Sequence, residues 1–246
     1  MDINKIVLNT LVFDTEHNAG LPQPDMLQKV ADFGIKTVEV RREYFKNIQT
    51  ETAQVKDINK KLGLKIFYSV PEKIFTDTGD LNPELAAYFD EAKTMGVSAV
   101  KMNIGNFTGL TDEIISGLTN VINSGIQLNI ENDQTTQNGS SKNIINFLVV
   151  AQENKLDIKF VFDLGNWRFV DENEQSVAAK INQYVRYIHV KNVSQENGKT
   201  SVVALDKGII DWQKTLKDLP TDVPVALEYP ATSDEIKHGI NLLLAY

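Results

Sequence analysis

A chain of 246 residues, 42% hydrophobic and 24% charged, has the composition of an ordinary globular protein and is long enough to bury a large core. Its formal net charge of −8 opposes binding to nucleic acid and to anionic membranes, and the lack of cysteine excludes disulfides, zinc–thiolate sites and cysteine nucleophiles. No apolar run reaches the roughly 18 residues of a membrane span, and MDINKIVLNT has no signal-peptide-like stretch, so a cytoplasmic location is the expectation.

Strand-like and helix-like segments alternate from end to end, with no composition shift between them. Strand candidates start near Lys5, Lys36, Leu64, Ser98, Ile126, Ile158, Val185 and Val223, about 30 residues apart, the size of one βα unit. Helical segments are predicted at 24–33, 49–62, 83–95, 111–124, 142–154, 173–183, 211–218 and 233–244. Asn82-Pro83-Glu84 reads as an N-cap with proline in the first turn, and Gly63, Gly96 and Gly125 read as glycines that close helices. Eight alternations imply a single (β/α)8 barrel over residues 1–246, or failing that an open doubly wound sheet. A dinucleotide-binding sheet would carry Gly-x-Gly-x-x-Gly after its first strand; KIVLNTLVFDTEHNAG has none. The α/β TIM barrel is the prediction.

Polar residues then collect at strand C-termini, where a parallel barrel builds its active site. Glu39 and Arg41 in TVEVRRE share a face opposite Val38 and Val40, as an interior ion pair or as substrate contacts. Lys101 and Asn103 in AVKMNIG pose the same choice. The last four strands each end in a possible metal ligand: IQLNIE at Glu131, IKFVFD at Asp163, VRYIH at His189 and VPVALE at Glu228. Alternation turns their apolar neighbours the other way: Leu128 and Ile130, Phe160 and Phe162, Ile188 and Val190, Val225 and Leu227. The chain holds 33 acidic residues and 3 histidines in 246, so four strand ends in four is far above the background of solvated turn residues.

Three carboxylates and one imidazole suit one divalent ion, Mn²⁺ or Mg²⁺ best, with Co²⁺ or Zn²⁺ possible. Such an ion can chelate a carbonyl and its neighbouring hydroxyl and stabilise an enediolate. Glu131 and Glu228 are the candidate proton carriers. Lys191 could hold a substrate oxygen or phosphate as a point charge, or be a solvated loop lysine. Asn166 and Trp167 follow the aspartate, and Trp167 could wall the pocket or pack in the core. His17 belongs to the first loop, as a surface residue or part of a lid; His238 reads as solvated and Trp212 as packed between helix and barrel.

The segments IENDQT at 130–135, FDLGNWRF at 162–169, YIHVKNV at 187–193 and ALEYP at 226–230, with LDKGIIDW at 205–212, resemble those of the xylose isomerase-like TIM barrels. That group includes sugar (phosphate) isomerases and epimerases, inosose dehydratases and type IV apurinic endonucleases. The resemblance implies that Glu131, Asp163, His189 and Glu228 bind the metal and that the two glutamates form the acid/base pair. It implies a small sugar or sugar phosphate as partner, and no nucleic acid, since the endonucleases' three-zinc cluster needs more histidines than this chain has. Two departures stand out: Asn166 replaces a histidine common in the ketose epimerases, and Gln195 replaces an arginine. Both positions normally touch substrate oxygens. An isomerase or epimerase is the expected activity, with an inosose-type dehydratase as the alternative and, behind it, an apurinic endonuclease or a barrel that binds a sugar without turning it over.

Overall fold

A computed structural model describes all 246 residues. Eight parallel strands close into a barrel: β1 (Ile6–Asn9), β2 (Thr37–Arg41), β3 (Lys65–Phe75), β4 (Ala99–Gly105), β5 (Gln127–Glu131), β6 (Ile158–Asp163), β7 (Val185–Val190) and β10 (Val225–Leu227). An antiparallel hairpin, β8 (Asn192–Glu196) and β9 (Lys199–Val203), intervenes before the last of them. β10 pairs with both β7 and β1, which closes the ring. Every predicted strand start lies within two residues of an observed one.

The helices are α1 (Asp14–Asn18), α2 (Gln23–Asp32), α3 (Ile48–Leu62), α4 (Leu85–Met95), α5 (Asp112–Ile122), α6 (Thr136–Gly139), α7 (Ser141–Glu153), α8 (Glu174–Ile181), α9 (Trp212–Lys217) and α10 (Ser233–Ala245). The short α1 and α6 have no counterpart among the predicted segments. α5 shows how the sequence writes such an element. Ile114, Leu118 and Val121 recur at helical spacing and are buried, while the Thr111 side chain accepts a hydrogen bond from the Ile114 N–H. Gly63 and Gly96 end α3 and α4 in the left-handed conformation, at φ +65° and +75°, where a Cβ would be strained. No helix is long and apolar enough to cross a membrane.

Side-chain alternation divides the strands into two apolar layers. Leu128, Ile130, Phe160, Phe162, Ile188, Val190, Val225 and Leu227 join the large core between barrel and helices. Val7, Phe67, Ala99, Val161, Tyr187 and Ala226 form a separate cluster inside the barrel, with the Phe67 and Tyr187 rings edge-on at 5.0 Å. This inner layer fills the barrel in the manner of a packed core. Above it, the same inward parity carries polar residues to the C-terminal mouth.

Candidate active site

Glu131, Asp163, His189 and Glu228 converge at the ends of β5, β6, β7 and β10, and one donor atom from each lies within 4.8 Å of all the others. All four residues are buried. Glu131 Oε1, Asp163 Oδ2 and His189 Nδ1 are buried atoms without an aligned hydrogen-bond partner. His189 Nδ1 nevertheless lies 2.6 Å from Glu131 Oε1 and 3.2 Å from Glu228 Oε2. Three buried carboxylates and an imidazole crowded at this distance fit a cage for a shared cation. The donor set, oxygen-rich with one imidazole, fits a hard or borderline divalent ion.

A second ring of side chains fixes these donors. Glu39, on β2, accepts a hydrogen bond on Oε2 from the Tyr187 hydroxyl at 2.6 Å and pairs there with His189 Nε2 at 2.7 Å. With a proton on Nε2, the histidine turns Nδ1 into the cage, as carboxylate–histidine–metal arrangements do. The backbone N–H groups of Gly165 and Asn166 donate to Asp163 Oδ1 at 2.9 and 3.1 Å. Asn132, next to Glu131, ties β5 to β6: its amide donates to the Asp163 carbonyl and its Oδ1 accepts from the Asp163 N–H. Glu228 Oε1 accepts from Arg41 Nη1 at 3.0 Å and from Asn9 Nδ2 at 3.2 Å. Lys191 Nζ lies 2.6 Å from Asp163 Oδ2 and 3.1 Å from Glu228 Oε2, and Lys101 pairs with Glu131 Oε2.

This crowding sets the electrostatics. Burial acts to raise the Glu131 and Glu228 carboxyls, but Lys101 and His189 beside the first, and His189, Lys191 and Lys101 beside the second, pull both below the ordinary carboxylate range. For Asp163 burial prevails over Lys191, and its carboxyl is pushed up to about 7. Burial works to lower the His189 pKa, yet Glu228, Glu39 and Glu131 raise it well above the usual imidazole value. The side chains alone therefore keep both glutamates ionised, hold a proton on His189 and, below about pH 7, one on Asp163, which a metal ion would displace.

No family model and no curated protein matches this chain. Solved structures do. A xylose isomerase domain containing protein from Salmonella typhimurium LT2 superposes with a TM-score of 0.75 at 16% identity, over 100% of this chain and 97% of its own. The chain has the TIM barrel fold. A 3-keto-D-glucoside 4-epimerase from E. coli matches the barrel with a TM-score of 0.68 at 13% identity, covering 98% of this chain and 99% of that one. A probable 3-DHS dehydratase involved in petrobactin synthesis, from Bacillus anthracis, gives 0.67 at 14%, with 98% of each chain covered.

At the mouth of this TIM barrel, a pocket opens above the cage. Arg41, Lys101, Asn103, Asn166 and Lys191 line it together with Glu131 and Glu228. Two residues predicted to contact substrate do not. Glu39 is fully buried beneath His189: its face parity holds, but the residue sits one layer too deep. Trp167 is also fully buried, against the Phe160 and Phe162 rings, because the 3₁₀ turn 166–170 carries it to the outer side of the barrel. Glu39 and Arg41 are not each other's ion pair; Arg41 bonds Glu43 and Glu228. Lys191 is buried rather than solvated. His17 stacks on Tyr44 at 4.0 Å, His238 is exposed beside Asp206, and Trp212 packs on Tyr246.

Other residues at the site carried no prediction. Asn9 ends β1 as the ligands end their strands, so the same rule would have found it. Val202, on β9, reaches the pocket wall. Its signal was Asn197-Gly198 between two alternating runs, with φ of +51° and +76°, a favoured hairpin turn.

Proposed function

We propose that this protein is a divalent-metal-dependent isomerase or epimerase of a small sugar, sugar phosphate or related polyol-ketone. The observation that carries this reading is the cage itself: one donor atom each from Glu131, Asp163, His189 and Glu228, all within 4.8 Å of one another, at a barrel mouth beneath a polar pocket. Similarity in fold to a sugar epimerase supports the same substrate class.

A divalent ion held by Glu131, Asp163, His189 and Glu228 would supply a Lewis acid for a carbonyl oxygen. The remaining chemistry belongs to side chains. Glu131 and Glu228 are kept ionised by their cationic neighbours, and the oxygen that faces away from the cage, Glu131 Oε2 or Glu228 Oε1, would take a proton from a carbon next to the carbonyl in exchange for its contact with Lys101 or Arg41. They stand on β5 and β10, on different sides of the mouth. One removes the proton and the other returns one to the opposite face. Lys101 and Arg41, in contact with these carboxylates, oppose the negative charge that builds on the substrate as the proton leaves. Asn103 presents its amide to hydroxyl groups from the pocket wall, and Asn166, whose Nδ2 donates to the Asn132 carbonyl, has its Oδ1 left for them.

The test is exchange in D₂O. A correct ketose should gain one carbon-bound deuterium and yield an isomer or epimer. Glu131→Gln and Glu228→Gln should each keep part of the ion affinity and lose at least ~10² in turnover, the lower range for acid–base catalysis. Near-wild-type activity in both ion-loaded variants would refute the acid/base roles. Loss of water from the product would move the reading to the dehydratase alternative, which begins with the same proton abstraction.

A further inference from the structure

We infer that the Lys191 ammonium and the divalent ion compete for the same two carboxylate oxygens, so that ion loading drives this lysine out of the cage and into the pocket. The inference rests on the metal reading above.

Each of two carboxylates has one committed oxygen and one free to face the cage. Asp163 Oδ1 is held by the Gly165 and Asn166 N–H groups, and Glu228 Oε1 by Arg41 and Asn9. Lys191 Nζ sits on the remaining oxygen of both, at 2.6 Å from Asp163 Oδ2 and 3.1 Å from Glu228 Oε2. These are the oxygens left to ligate an ion, because Glu228 Oε2 is also the one that faces His189 Nδ1. An ion bound at about 2.0 to 2.6 Å from such oxygens would meet the ammonium at contact distance. Two like charges in a buried site repel strongly there.

Lys101 makes the contrast. It pairs with Glu131 Oε2, whereas Glu131 Oε1 is the oxygen that meets His189 Nδ1. Its ammonium can therefore stay in place when an ion is bound. Lys191 also has a route out. Its stem lies across Gly165, where an added Cβ would stand 2.7 Å from Lys191 Cγ and 3.2 Å from Cε, so the glycine leaves the chain a smooth surface over which to turn. The pocket that Lys191 lines opens on the same side. Once displaced, the ammonium joins Arg41 and Lys101 as a third cation on that wall. There it meets an anionic oxygen of the substrate, such as a carboxylate or phosphate.

Calorimetric titration of Mn²⁺ into chelator-stripped wild type, Lys191→Met and Lys101→Met tests this. Lys191→Met should bind Mn²⁺ at least ~10-fold more tightly than wild type, a part of what a buried charge contact is worth. It should also bind more tightly than Lys101→Met, which removes the same charge without clearing the cage. A crystal structure of Mn²⁺-loaded wild type should show Lys191 Nζ beyond hydrogen-bond reach of Asp163 Oδ2. That measurement stands even if the methionine variant does not fold. Mn²⁺ affinity in Lys191→Met no higher than in Lys101→Met would overturn the inference, as would an ammonium still seated on Asp163 in the loaded crystal. If wild type takes up no Mn²⁺ at all, the metal reading fails and this inference with it.

Discussion

His189 has both ring nitrogens engaged by acids on opposite sides, Glu39 below and the cage above. Glu39→Gln keeps the shape of the lower partner but removes its charge and weakens its hold on the imidazole proton. Ion affinity should fall about 10- to 100-fold, as for other partners behind a metal-bound histidine, while circular dichroism stays native. Unchanged affinity by calorimetry would mean that the histidine is oriented by packing alone. The raised values of Asp163, at about 7, and of His189 also set a pH dependence. Below pH 7 the ion must displace both the Asp163 and the His189 proton, so affinity should climb with pH up to that point by about a hundredfold per unit for two protons released, and by about tenfold per unit beyond it. Its rise should continue above pH 7 until His189 is also free of its proton. Titrations in buffers of different ionisation enthalpy would count the protons, and a flat profile from pH 6 to 8 would contradict both shifts. In the sequence, alternation along a strand separates inward from outward residues but carries no depth. That is why the four cage residues are readable from their strand ends, whereas Glu39, on the same inward face, is placed a layer too high.

Among the elements, those with strong local punctuation are the legible ones. α10 is an example: Thr232 Oγ1 accepts from the Glu235 N–H, and Glu235 Oε2 accepts from the Thr232 N–H at 2.7 Å. Both halves of a capping box are present, and Ile236, Ile240 and Leu243 then bury the inner face. Thr232→Ala should cost about 1 kcal/mol of stability, seen as a lower urea midpoint with an unchanged slope. A shift within error would show that the cap contributes little once the helix is docked. The β8–β9 hairpin escapes the sequence reading for the opposite reason. Its strands pair only with each other, so they lack the buried apolar face that marks a barrel strand, and only the Asn197-Gly198 turn announces them. Its base is held by one amide. Asn192 Nδ2 donates to the Leu205 and Ile210 carbonyls, and Oδ1 accepts from the Ile210 N–H. Gly208 passes so close that a Cβ there would collide with Asn192 Oδ1. Contacts of this kind between distant loop residues have no periodic signature.

At the level of the whole molecule, the eight-fold alternation is enough to give the barrel, because closure follows from repeating one βα unit with a consistent hand. The consequence lies in the inner cluster of Val7, Phe67, Ala99, Val161, Tyr187 and Ala226. It turns the barrel into a cul-de-sac. Under the proposed function, ion, substrate and product would all have to use one doorway, with the cage at its far end. The order of traffic would follow: the ion would come in first and, while the proposed substrate stands in the pocket, would have no way back. A saturating substrate or product should therefore slow the stripping of ion by a chelator, followed by stopped-flow, whereas a compound too large for the pocket should not. Equal stripping rates with and without the bound ligand would mean that there is a second door.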